Sequence, residues 1–286
     1  GEIDAIALEP SDIAAVEGTP GVVVQHYPTR SFTYYEFNLN KDVTTLWQDQ
    51  QVRQAMLYAL NRESIVNDIL LGYAEVAQGT QPVISYAYAP DQITTKYTYD
   101  VEKAKSLLAE AGWTDSDGDG VVDKDGQSLA FELLYGSGSP TADQMVAYLQ
   151  DAWKAIGIDA TPRALEFPAL IEATTTNLDW EVAMYSFLWD ATFIQDPMFG
   201  CNQYQVGFND MKYCNEHVDE LNAEAKRTFD EEKRRELLIE VSNIVNDEQP
   251  IAVLHFSQAH DAHNEALQNY IPSTWGTDLT YVWIQQ

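Results

Sequence analysis

Val52 to Tyr73, VRQAMLYALNRESIVNDILLGY, is the stretch that most constrains the fold. Val52, Ala55, Met56, Ala59 and Leu60 recur at three- and four-residue spacing and make one apolar stripe. Ile65, Ile69 and Leu70 repeat the pattern after a junction at Asn61-Arg62-Glu63. Asn61 can cap the amides one turn on, and Gly72 sits where a helix-ending glycine belongs. The spacing predicts two consecutive helical segments that nucleate a core. No direct chemical role is needed to explain them.

What surrounds this pair must supply that core. The chain has 286 residues, 45% of them hydrophobic, enough for one large domain or two smaller ones. Its 45 acidic and 16 basic residues give a formal net charge of −29. That field repels nucleic acid and anionic membrane surfaces. No apolar run approaches the roughly 20 residues of a membrane span. The opening GEIDAIAL has neither a basic n-region nor a signal-like apolar core. It reads as the middle of a longer chain.

Periodicity predicts alternating strands and helices along the sequence. Residues 3–8 suit a short buried strand, followed by a short helix from Ile13 to Glu17. Val22–Val24 and Phe32–Leu39 read as two strands, the second alternating as FTYYEFNLN. A loop rich in tyrosine and proline occupies residues 78–100, and Asp100 caps the helix VEKAKSLLAEAG. Further strands fall at LAFELLY, IDATPRAL, Trp180–Phe187 and Ile251–Phe256. Helices fall at Thr141–Ile156, Glu166–Asn177, Val218–Phe229 and Glu231–Asp247. This order defines an α/β fold with a mixed sheet.

Enzyme signatures are missing: there is no GxSxG, HExxH or GxxxxGK[ST]. His255, His260 and His263 cluster in HFSQAHDAH, and a metal-assisted hydrolase built on them is one candidate. The plainer reading is surface histidines on a loop. Asp115, Asp117, Asp119 and Asp123 match the first two-thirds of a calcium loop. The twelfth position, which should carry a bidentate glutamate, is Gly126. Calcium is therefore the one cofactor candidate, against a simple Asp/Gly turn. Trp180, Tyr185, Phe187, Trp189 and Phe193 gather around Asp190. Trp189-Asp190 falls where a strand gives way to a loop, a place to present an aromatic wall and a carboxylate to a ligand. Core filling is the alternative for each ring. Cys201 and Cys214 bracket a short polar, aromatic loop, as a disulfide in an oxidising compartment or as free thiols in a reducing one.

Taken in order, several segments resemble the extracellular solute-binding proteins of family 5, the oligopeptide- and dipeptide-binding components of ABC importers. They are VRQAMLYALNRESIVNDILLGYAEVAQG, YDVEKAKSLLAEAGWTDSDGDGVVDKDGQSLAFELLY, YLQDAWKAIGIDATPRAL, GFNDMKYCNEHVDEL and EEKRRELLIEVSNIVNDEQPIAVLHF. The resemblance implies a periplasmic-binding-protein-like lobe (type II, cluster C) with a mixed sheet and flanking helices. Residues 37–256 would form the C-terminal ligand-binding lobe. Residues 1–36 would be a remnant of the first lobe with hinge strands, and residues 257–286 would return to it. The implied protein performs no chemistry. It is a monomeric, lipid-anchored, extracytoplasmic receptor that hands a small solute to a membrane permease. Peptide-binding relatives pair an aspartate after a tryptophan with the peptide's ammonium group. Asp190 is the best match, with Trp189, Tyr185 and Phe193 beside it, although the usual spacer is missing. That departure keeps oligosaccharide as the alternative ligand; the family also holds nickel receptors. The resemblance further implies a Cys201–Cys214 disulfide.

Overall fold

A computed structural model of the chain describes residues 3–285. Its organising element is a seven-stranded sheet. The strands are β1 (Ala5–Ala7), β2 (Val22–Phe37), β3 (Ala74–Val76), β4 (Ala130–Gly136), β5 (Asp159–Leu165), β6 (Val182–Leu188) and β7 (Ile251–Asn264). The hydrogen-bonded order is β1–β7–β2–β6–β4–β5, and β3 joins the outer edge of β7. β4 pairs in parallel with β5 and β6, and the remaining pairs are antiparallel. The sheet is mixed, as the element order predicts.

Both faces of the sheet are covered, because β2 alternates two apolar sets. Tyr35 and Phe37 join one core with Val52, Met56, Leu107, Met145 and Trp153. Phe32 and Tyr34 join the other with Val218, Leu221, Leu237 and Val241. A short helix, α1 (Pro10–Val16), precedes β2, and the first core lies under α2 (Gln50–Tyr58), α3 (Val101–Glu110) and α4 (Pro140–Lys154). The second lies under α5 (Glu216–Arg227) and α6 (Glu231–Glu248). The caps read from sequence hold: Asn61 accepts from the Ser64 amide and Asp100 from Lys103; Asp230 caps α6 in the same way, accepting from Lys233.

Several elements differ from the periodicity reading, each for a visible reason. Val22–Val24 and Phe32–Leu39 are one sixteen-residue strand. Pro28-Thr29-Arg30-Ser31 interrupts the apolar alternation, and the sheet absorbs it as an irregularity in the β2–β7 register. The second half of the opening helical pair widens after Arg62–Ser64 into a π-helical turn over Ile65–Ile69. β1 is not buried, since Ile6 is 49% exposed. β7 runs on to Asn264, so the histidine cluster lies on a strand and not on a loop. β2 ends at Phe37, whereas β7 runs through residues 256 and 257 without a break.

Two arginines of the opening stretch are buried without any carboxylate partner. Arg53 donates to the carbonyls of Trp47, Glu248 and Gln249. Arg62 donates to those of Ala77, Val253 and Tyr97. The helical pair is thereby tied to the end of α6, to β7 and to the loop before α3. These guanidinium groups satisfy carbonyls that would otherwise be orphaned in the interior.

Candidate functional site

β4 ends at Gly136, and Ser139 caps the start of α4 by accepting from the Ala142 amide. A cavity of about 330 Å³ opens at this carboxyl end of the sheet, where α/β folds hold ligands. Its walls include Thr33 from β2, Met184, Tyr185 and Ser186 from β6, Tyr73 from the end of the opening stretch, and His255 from β7. A bulge sets the last of these. Thr33 faces His255 while Tyr34 faces Val253, so the extra residue, Leu254, turns His255 onto the Thr33 side. Thr33 and Ser186 share a hydroxyl hydrogen bond of 2.9 Å, and the Tyr185 hydroxyl bonds Thr174 at 2.8 Å.

His255 is 4% exposed, and neither ring nitrogen has a partner. Burial pushes its pKa down to about 4, so it is neutral at physiological pH. In the unfolded chain it takes up a proton below about pH 6.5. Stability is therefore expected to fall as pH drops from about 6.5 to about 4, by about 3 kcal/mol from this group alone. Urea unfolding of wild type and His255→Phe at pH 7 and pH 4 checks this. The difference between the two proteins should grow by that amount in favour of the variant on the acid side.

β6 leaves the cavity at Ser186 and runs into the Trp189–Pro197 loop. Trp189 is 1% exposed and donates its indole N–H to the Thr80 carbonyl at 2.9 Å. Its ring packs on Phe32 and Phe187. Phe193 is 3% exposed, in the left-handed region at φ 55°, and its carbonyl accepts from Gln81. Both rings fill the core, which corrects the expectation of an open wall at Trp189. Asp190 does reach solvent, and its carboxylate accepts from the Thr192 amide and hydroxyl. Of the four residues read from sequence, Tyr185 lines the cavity, Asp190 stands open beyond it, and Trp189 and Phe193 fix the loop between. The open aromatic beside that loop is Trp275, 59% exposed. Thr33 and Tyr73 were missed as site residues, Thr33 being marked only by strand alternation and Tyr73 by no local motif; His255, read from HFSQAHDAH as part of a metal cluster, lines the cavity instead.

The other candidates separate in space. Asp115, Asp117 and Asp119 bring carboxylate oxygens within 4.8 Å of one another. Asp123 does not join them: it turns back to accept from the Ser116 amide and hydroxyl. Asp115 and Asp119 also accept from amides within the same loop. The histidines do not converge. His260 and His263 lie three apart on β7, so the period-two alternation sends them to opposite faces. His260 pairs instead with His26 across the strands, Nδ1 to Nδ1 at 2.9 Å. The metal-assisted hydrolase reading loses its histidine set.

Cys201 and Cys214 are joined by a disulfide that closes the loop before α5. With a separation of 13 residues, its loss is expected to cost about 3 kcal/mol. Urea unfolding of the Cys201→Ser, Cys214→Ser double variant against the oxidised wild type checks this.

A mixed sheet sandwiched by helices, with a cavity at its carboxyl edge and a loop carboxylate beyond, defines an α/β lobe with a cavity of ligand size. The family profile described as "Bacterial extracellular solute-binding proteins, family 5 Middle" matches residues 1–210. The chain belongs to this family, whose fold is periplasmic-binding-protein-like. It is 30% identical over 272 residues to the oligopeptide-binding protein AppA of Bacillus subtilis, covering 94% of this chain and 49% of the relative. It is 25% identical over 273 residues to the dipeptide-binding protein of Escherichia coli, covering 93% and 48%. The solved structure of B. subtilis AppA in complex with a nonapeptide has a TM-score of 0.91 at 29% identity, covering all of this chain and 57% of that one. NikZ of Campylobacter jejuni in complex with Ni(L-His) shares the fold, with a TM-score of 0.81 at 24% identity over 94% of this chain and 53% of its own. The chain spans about half the length of the curated relatives it matches.

Proposed function

We propose that this chain is the ligand-binding lobe of an extracytoplasmic receptor that captures peptides and delivers them to an ABC-type permease. One observation carries the reading: nearly the whole chain is similar to B. subtilis AppA, whose structure holds a nonapeptide. In this reading residues 37–256 form the binding lobe. Residues 1–36, which contain β2 as far as Glu36, and residues 257–286, which contain the second half of β7, connect it to a second lobe. The ligand lies across the cavity rim and the Trp189–Asp190 loop. Asp190 takes the peptide's ammonium group, and Tyr185 and the carboxyl edge of the sheet take the backbone. The receptor is a lipid-anchored monomer, and no cofactor takes part in capture.

The test is a thermal-shift panel on the full-length protein with di- and oligopeptides, cello- and xylo-oligosaccharides, and nickel. A bound ligand raises the melting temperature by mass action. Peptides are expected to raise it and the other classes to leave it unchanged. A shift with oligosaccharide or nickel and none with peptide would overturn the reading.

A further inference from the structure

The tail of the chain folds back onto the Asp190 loop. The amide of Arg30 donates to the Thr274 hydroxyl at 3.2 Å, and the Arg30 guanidinium donates to the Trp189 carbonyl at 2.6 Å. The same guanidinium lies 4.7 Å from the centre of the Trp275 ring, in cation–π geometry. The rings of Trp275 and Phe193 meet edge-to-face at 6.5 Å between centroids. Trp275 is thus held against both flanks of the loop that carries Asp190. Its backbone is set by a tight turn: the Gly276 amide donates to the Ser273 carbonyl, and the Ser273 hydroxyl to the Gly276 carbonyl. Gly276 has φ +103°, a conformation that other residues rarely adopt.

Trp275 is fixed by Arg30 and by the turn, yet more than half of it faces solvent. One face carries the guanidinium, and a fixed ring loses little freedom when a ligand stacks on it. Tyr86 also meets Phe193 edge-to-face, and its hydroxyl donates to the Thr192 carbonyl.

We infer that Trp275, braced by Arg30 beside the Asp190 carboxylate, is a stacking subsite for a flat or aromatic side chain near the amino end of a bound peptide. The inference rests on the peptide-receptor reading and adds a side-chain preference to it. A purely structural role for Trp275 would give no such preference.

The experiment is calorimetric titration of the full-length protein with two peptides of equal length. One carries phenylalanine and the other glycine at the second position. Wild type is expected to bind the phenylalanine peptide about tenfold more tightly. Trp275→Ala should remove most of that difference while changing glycine-peptide affinity less than about twofold. Trp275→Phe, which keeps a ring on Arg30, should restore most of it. Equal wild-type affinities, or equal losses for both peptides in Trp275→Ala, would overturn the stacking subsite and leave the peptide-receptor reading standing. Binding of neither peptide would overturn both.

Discussion

Replacing Arg62 with methionine is expected to lower the stability of the chain by about 4 kcal/mol, roughly 10 °C in melting temperature for a protein of this size. Arg62 is 6% exposed and donates to Ala77 O at 2.6 Å, Val253 O at 3.0 Å and Tyr97 O at 2.8 Å. No acidic group pairs with it. Burial lowers its pKa to about 10, which still leaves it charged at neutral pH. The wild type thus buries a cation whose only compensation is three charge-assisted bonds to carbonyls from three separate segments. Methionine keeps the apolar stem and strands all three acceptors, and each buried orphan costs about 1–3 kcal/mol. Losing the buried charge offsets part of that cost. Arg62→Lys keeps the charge but not the planar fork, and should fall between the two. Urea unfolding with a loss under about 1 kcal/mol would show that the clamp matters little.

The melting temperature is also expected to rise by on the order of 10 °C between about 0.01 M and about 1 M NaCl, as the screening length shrinks from about 30 Å to about 3 Å. The net charge of −29 leaves most carboxylates without a cationic partner, since only 16 basic residues face 45 acidic ones. Two of the 16, Arg53 and Arg62, are spent on interior carbonyls. The ion pairs of the described residues lie mainly at the surface, where each contributes little. Self-repulsion of the folded state is the dominant electrostatic effect, and salt relieves it. Scanning calorimetry over a chloride series tests this. A flat or falling melting temperature would contradict it.

These two effects differ in how far the sequence discloses them. The acid excess can be counted directly. The arginine clamp cannot, because the spacing of VRQAMLYALNRE says where the apolar stripe lies and not where a guanidinium reaches. Its acceptors are up to 196 positions away, as in the Arg53–Gln249 bond. The same limit governs the site. The change from strand to loop at Trp189-Asp190 was legible in the alternation of β6. Which aromatic is open there was not: Trp189 is covered by Thr80 and Phe32, and Trp275 reaches the loop only because the tail folds back to Arg30. Thr33 and His255 share the cavity through a single-residue bulge in β7, which no alternation pattern foretells.

The most direct test is titration of the full-length protein with an unmodified oligopeptide and with its N-acetylated counterpart. If Asp190 holds the ammonium group, the free peptide binds. Acetylation should then weaken it by about tenfold or more, the worth of one charge-assisted bond. Asp190→Asn should weaken the free peptide to the same degree and make acetylation inconsequential. Equal affinity for both peptides, unchanged in Asp190→Asn, would contradict the proposed binding mode; no binding of either would contradict the assignment of this lobe to a peptide receptor.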